Sequence, residues 1–191
     1  MDSNPSTRVC PVERADSLDS KFRKFLHNPH KILSPFLSEG MTALDLGCGP
    51  GYFTLPMAQL VGKTGRVIAA DLQEGMLQKV KQKISGDNLS NIIALHKCRE
   101  DTIGLTEKVE FALLFYMLHE VPDKTNLLNE LLALLKPKGR VLIVEPKIHV
   151  SKRAFFASTE LMKQAGFEII GNPRIFFSRS VVLTPRISNH S

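Results

Sequence analysis

Cysteine is scarce in this chain: three residues in 191, at positions 10, 48 and 98, with no C-x-x-C among them. An odd number at wide spacing builds no disulfide framework, which excludes small secreted scaffolds and predicts a reducing, cytoplasmic setting. Long hydrophobic runs are missing as well. The longest, Phe111 to Leu118, is far below what a membrane span requires. Met1-Asp2-Ser3-Asn4-Pro5 lacks the basic-then-apolar arrangement of a secretory leader. No internal repeat, low-complexity tract or linker is visible, and the 43% apolar content is that of an ordinary globular domain with a substantial core.

Negative charge is thin toward the end of the chain. The net charge is +6, and from Ser151 onward Lys152, Arg153, Lys163, Arg174, Arg179 and Arg186 face only Glu160 and Glu168. Such a segment could meet nucleic acid or an acidic metabolite. A solvated basic face is the plainer reading, because no aromatic-interleaved Arg/Lys cluster appears.

What is present is an alternation of strand-like and helix-like segments from Met41 onward. The apolar runs predict strands at Thr42–Leu46, Arg66–Asp71, Ile92–Lys97, Val109–Phe115 and Arg140–Glu145. Between them, helical periodicity covers Phe53–Val61, Gly75–Ile84 and Asp123–Leu135, with Asp123 as an N-cap and Lys136-Pro137-Lys138-Gly139 as a stop. This order predicts parallel strands joined by right-handed crossovers. After a helix near Lys152–Ala165, Phe167–Ile170, Ile175–Phe177 and Ser180–Leu183 read as extended. The last interval is too short for a helical crossover, so an antiparallel hairpin is expected at the end. Residues 1–40 are polar and then amphipathic, with Phe22, Phe25 and Leu26 at helical spacing. They are expected to form a helical appendage or lid on a domain spanning 41–185, with 186–191 as a tail.

Asp45-Leu46-Gly47-Cys48-Gly49-Pro50-Gly51-Tyr52 links the first strand to the first helix. Glycines at G-x-G-x-G spacing let the backbone turn sharply and leave room for a ligand against the main chain. Asp71 stands twenty residues past the last glycine, the spacing of a carboxylate that grips ribose hydroxyls. An adenosine-containing cofactor is implied. A dinucleotide turn needs G-x-G-x-x-G; here the third glycine comes one residue early and Tyr52 occupies the next position.

The pattern D-x-G-x-G-x-G followed by an aromatic resembles motif I of the class I S-adenosylmethionine-dependent methyltransferases. The resemblance runs from about Met41 to Leu183 and is strongest over Met41–Met76 and Phe111–Pro146. Within the superfamily the chain looks closest to the broad group that includes quinone-biosynthesis C-methyltransferases. The implied fold is α/β: a single doubly wound seven-stranded sheet, mostly parallel, with an antiparallel C-terminal strand. The resemblance implies S-adenosyl-L-methionine as cofactor. Gly47, Gly49 and Gly51, with Cys48 and Tyr52 in the same turn, would admit its methionine moiety, and Asp45 would hold its amino group. Asp71 would take the ribose hydroxyls, and Leu72 and Met76 would pack on the adenine. The chain departs from the pattern at the adenine edge, where Cys98, Arg99 and Glu100 are all candidates.

Tyr116 and His119 end the strand expected to face the transferable methyl group, with Glu145 and His149 on the same rim. His119 is a candidate general base, since imidazole titrates near neutrality, against a structural role before Val121-Pro122. The Y-x-x-x-K pair of a short-chain dehydrogenase and an Asn/Asp-Pro-Pro-aromatic sequence are both absent, the latter disfavouring methylation of exocyclic nucleobase amines. Cys10, Cys48 and Cys98 raise a soft-ligand reading, weaker than that of unrelated small residues. No metal site is expected. The expected activity is methyl transfer to a small molecule. Alternatives are a protein or RNA acceptor, or a non-catalytic cofactor-binding regulator or partner subunit.

Overall fold

The computed structural model describes residues 27–86 and 88–186. Its seven strands are β1 Thr42–Leu46, β2 Arg66–Asp71, β3 Ile93–Lys97, β4 Val109–Phe115, β5 Leu135–Pro146, β6 Phe167–Gly171 and β7 Ser178–Pro185. They form one sheet in the order β3-β2-β1-β4-β5-β7-β6. β7 runs antiparallel to both β5 and β6, and the ladders among β1 to β5 are parallel. This is the doubly wound, mostly parallel sheet that the sequence predicts.

The central strands are near-continuous Val, Ile, Leu and Ala because both faces are covered. Alternation along β1 shows the division. Ala43 joins a core with Leu33, Met57, Val61, Leu77 and Val80, while Leu44 and Leu46 face a second core with Leu128, Leu131, Met162 and Phe167. The first core is capped by α1 (Pro29–Leu33), α2 (Thr54–Val61) and α3 (Glu74–Ile84), the second by α4 (Lys124–Leu134) and α5 (Lys152–Gln164). Caps appear where their residue types predict them. Asp123 accepts from the Asn126 amide at 2.9 Å, Ser151 from Ala154 at 3.1 Å, and Asn28 from Lys31 at 3.1 Å before Pro29.

Two expectations are corrected. Lys136–Gly139 ends the helix but continues as part of β5, with a register shift against β4 between Val109 and Phe111. Ile175–Phe177 is not a strand: Phe176 and Phe177 form the turn into β7, and Phe177 takes a left-handed backbone (φ 54°). The amphipathic run at Phe22–Leu26, Cys10 and most of the expected appendage lie outside the described residues. The appendage's described part is built into the core through Leu33 and Leu37, which are 0% and 5% exposed.

Candidate active site

The glycine turn leaves the end of β1 and is held from three sides. Gly47 and Cys48 both donate to the Ala70 carbonyl at the end of β2, at 2.8 and 3.0 Å. Lys83 donates to the Pro50 carbonyl at 2.9 Å. Asp71 accepts from the Gly49 amide through Oδ2 at 2.9 Å and from the Gln73 amide through Oδ1 at 2.8 Å. Burial raises the Asp71 pKa, with the Gln73, Gly49 and Leu72 amides opposing it.

The three glycines differ in what a side chain would meet. All have left-handed backbones, φ 73°, 53° and 84°. A Cβ on Gly47 would lie 2.9 Å from that of Met117, and one on Gly51 would press on Val80 and Leu55 at 3.1 and 3.2 Å. At Gly49 nothing stands within 4 Å. Gly47 and Gly51 therefore serve close packing, and Gly49 presents bare main chain to open space. The Asp71 carboxylate, with these amides bound, retains acceptor capacity for a hydroxyl. The pair fits an adenosine-containing cofactor: a cradle that a side chain would fill, beside a carboxylate that could accept from ribose hydroxyls.

Asp45 is 2% exposed, and its Oδ2 accepts from the Thr54 hydroxyl at 2.6 Å. Met76 is 2% exposed in the first turn of α3, and Leu72 is half-buried after β2. At the adenine edge, Cys98 is buried and its amide donates to the Asp71 carbonyl at 2.9 Å, whereas Arg99 and Glu100 are exposed. The loop beyond is held by Glu130, whose Oε2 accepts from the Thr102 hydroxyl and the Ile103 amide at 2.8 Å each. Burial pushes the Cys98 thiol up to about 12 and the Cys48 thiol well above its usual range, with nearby carboxylates adding to both. Among the described residues no three His, Cys, Asp or Glu come together as metal ligands.

The second half of the site lies at the carboxyl ends of β4 and β5. His119, in a 3-10 turn after β4, donates through Nδ1 to Glu145 Oε2 at 3.0 Å, and its ring centroid lies 5.6 Å from that of exposed His149. The Glu145 hydrogen bond raises the His119 pKa against the opposing pull of partial burial, with the Glu145 charge adding to the rise. Glu145 is 3% exposed, and its Oε1 has no hydrogen-bond partner among the described residues. The structure thus brings together three residues that the sequence places only on a common rim.

Tyr116 is used differently. Its φ of 61° is a strained backbone for a bulky residue. Its hydroxyl donates to Ser178 Oγ at 2.6 Å, Ser178 donates to the Phe176 carbonyl at 2.9 Å, and His27 Nε2 donates to that same carbonyl at 2.9 Å. The Tyr52 hydroxyl donates to the His27 carbonyl at 2.7 Å. Both tyrosines therefore tie the segment before α1 to the site. Thr54, His27, Ser178 and Met117 join the site without standing among the sequence-predicted residues. Thr54 had a signal in its place at the start of the helix after the turn; His27 and Phe176, 149 positions apart, had none.

Comparison with known proteins agrees with this geometry. A family profile described as a methyltransferase domain matches residues 37–170. A demethylmenaquinone methyltransferase of Halalkalibacterium halodurans is 31% identical over 123 residues, 63% of this chain and 50% of that protein. One of Lactococcus lactis subsp. lactis is 35% identical over 122 residues, covering 61% and 47%. The chain spans about half the length of these curated relatives. The crystal structure of an S-adenosylmethionine-dependent methyltransferase from Aquifex aeolicus superposes with a TM-score of 0.84 at 26% identity, covering 93% of this chain and all of the other. Together with the sheet order, the open face of Gly49 and the carboxylate of Asp71, these matches identify the chain as a member of the class I S-adenosylmethionine-dependent methyltransferases, with S-adenosylmethionine as its cofactor.

Proposed function

We propose that the protein methylates a small, largely apolar molecule at an acidic O–H or C–H, with His119 as general base and Glu145 as the residue that positions it. The observation that carries this reading is the 3.0 Å contact between His119 Nδ1 and Glu145 Oε2 at the rim of the sheet. Committing Nδ1 as a donor leaves Nε2 of the neutral ring as the acceptor. Nε2 would take the acceptor's proton as the methyl group passes from sulfur to the acceptor and neutral S-adenosylhomocysteine leaves, and the carboxylate behind it would stabilise the imidazolium. The cofactor, when bound, supplies an electrophilic methyl group on a sulfonium. Gly49 and Asp71 fix its binding position, and alignment with the nucleophile contributes much of the acceleration. The buried Oε1 of Glu145 is a costly atom to leave unpaired, and a hydroxyl on the acceptor would offset that cost.

The curated relatives methylate a demethylmenaquinone by name, so a hydroxylated quinol ring is the first acceptor to test. We also place residues 1–40 as a lid over the acceptor, anchored where His27 meets Tyr52 and Phe176. A cytoplasmic location suits the free thiols of Cys48 and Cys98. An RNA or protein acceptor is the second reading, favoured by the absence of acidic residues after Glu168. The deciding experiment is incubation with methyl-labelled S-adenosylmethionine and fractionated cell extract. Label in a small organic-soluble product supports the proposal; label removed by nuclease or protease overturns it.

A further inference from the structure

We propose that the surface around Phe176 and Phe177 docks the protein on an anionic lipid bilayer. These rings are 57% and 58% exposed, and Ile148, beside Lys147, is 74% exposed. Phe177 is presented to solvent from a left-handed backbone, φ 54°, a conformation that disfavours any side chain. Phe155, Phe176 and Phe177 line one open cleft together with Lys147, Lys152 and Arg174. All three cations are exposed, and no acidic residue occurs from Pro146 to Thr159 or after Glu168. Apolar side chains ringed by cations that form no ion pair among the described residues complement a negatively charged interface, where rings enter the headgroup layer and cations meet phosphates. No helix among the described residues is long and apolar enough to cross a membrane.

A nucleic acid fits this surface less well. The two rings lie 5.7 Å apart and tilted by 39°, which leaves no slot for a base between them, and Ile148 offers no stacking face. The position of the surface is also telling. The Lys147 amide donates to the Phe177 carbonyl at 3.1 Å, one step past the Pro146–Ser178 pair, so the patch begins just beyond Glu145. An apolar acceptor drawn from the bilayer would reach the site without crossing bulk water. That consequence rests on the proposed role of His119 and Glu145; the docking surface itself does not.

The chain contains no tryptophan, so Phe176→Trp in the full-length protein is a reporter of this one position. Its emission is expected to be that of an exposed indole in buffer and to shift blue on adding mixed phosphatidylcholine–phosphatidylglycerol vesicles, not phosphatidylcholine alone. In vesicle sedimentation, replacing Lys147 and Arg174 by Gln is expected to lower affinity roughly 30-fold, about fivefold per cation. S-adenosylhomocysteine binding measured on the same samples confirms that each variant is folded. The proposal is overturned by an unshifted spectrum, or by equal response to neutral vesicles. Emission already blue in buffer also overturns it: the cover is another part of the chain if concentration has no effect, and a second copy if it does. A response to a single-stranded oligonucleotide in place of vesicles would assign the surface to nucleic acid.

Discussion

Glu145 accepts the Nδ1 proton of His119 across 3.0 Å, joining the end of β5 to the turn after β4. The contact acts on tautomer, ring orientation and basicity together, because a buried carboxylate favours both the Nδ1–H form and the imidazolium.

His119→Ala is therefore expected to lower kcat by about 10²–10³-fold, the usual contribution of a positioned base. S-adenosylhomocysteine affinity should stay close to that of the unmodified protein, since Asp71 and the glycine turn are untouched. Calorimetry beside turnover separates the two; equal loss of both would assign His119 to structure.

The pH profile should follow the same contact. The His119 pKa is raised, first by the Glu145 hydrogen bond, so activity that needs neutral imidazole should rise with pH through a value above the ordinary ~6.5. Glu145→Gln should move that limb downward. The stability contribution has the opposite dependence. With the folded pKa above the unfolded one, it is fully present below about pH 6.5 and lost as pH rises through the folded value. The Tm difference between the parent and Glu145→Gln should accordingly be largest under mildly acidic conditions and shrink toward alkaline pH.

Asp71→Asn should weaken S-adenosylhomocysteine binding by about 2–3 kcal/mol, or roughly 30- to 150-fold, on the scale of charge-assisted hydrogen bonds. The variant also weakens acceptance of the Gly49 amide, so backbone exchange at Gly49 should quicken. Retained affinity would remove Asp71 from the ribose site.

Gly49→Ala and Gly51→Ala should separate binding from packing. Both place alanine in a left-handed backbone, at a cost of about 1–2 kcal/mol. Gly49→Ala meets no neighbour and should lose cofactor affinity with only that stability cost. Gly51→Ala must also displace Val80 or Leu55, so its Tm should fall further.

Thr54→Val removes a 2.6 Å donor from buried Asp45. Loss of one hydrogen bond to a buried carboxylate should destabilise the fold by about 1–3 kcal/mol, visible as a lower urea midpoint at neutral pH.

Much of the fold was legible because parallel strands covered on both faces are written as local apolar runs. Thr42–Leu46, Arg66–Asp71 and Val109–Phe115 are strands at the bounds their composition predicts. The glycine turn is legible for a related reason: a strand–turn–helix unit is written in adjacent residues. Ile175–Phe177 failed because an apolar aromatic run also reads as a strand, and only the antiparallel return of β7 forces a turn there.

Short-range spacing and periodicity specify the layered α/β architecture and an adenosine-containing cofactor, and the resemblance of the glycine turn to motif I implies S-adenosylmethionine. The sequence also placed His119, Glu145 and His149 on one rim. Folding is what bonds His119 to Glu145, engages Tyr116 with Ser178, and leaves Gly49 alone of the three glycines facing open space. The exposed phenylalanines and the cations of the C-terminal half likewise become one surface only when β7 returns beside β5. These relationships depend on strand order and side-chain direction, which no local pattern encodes.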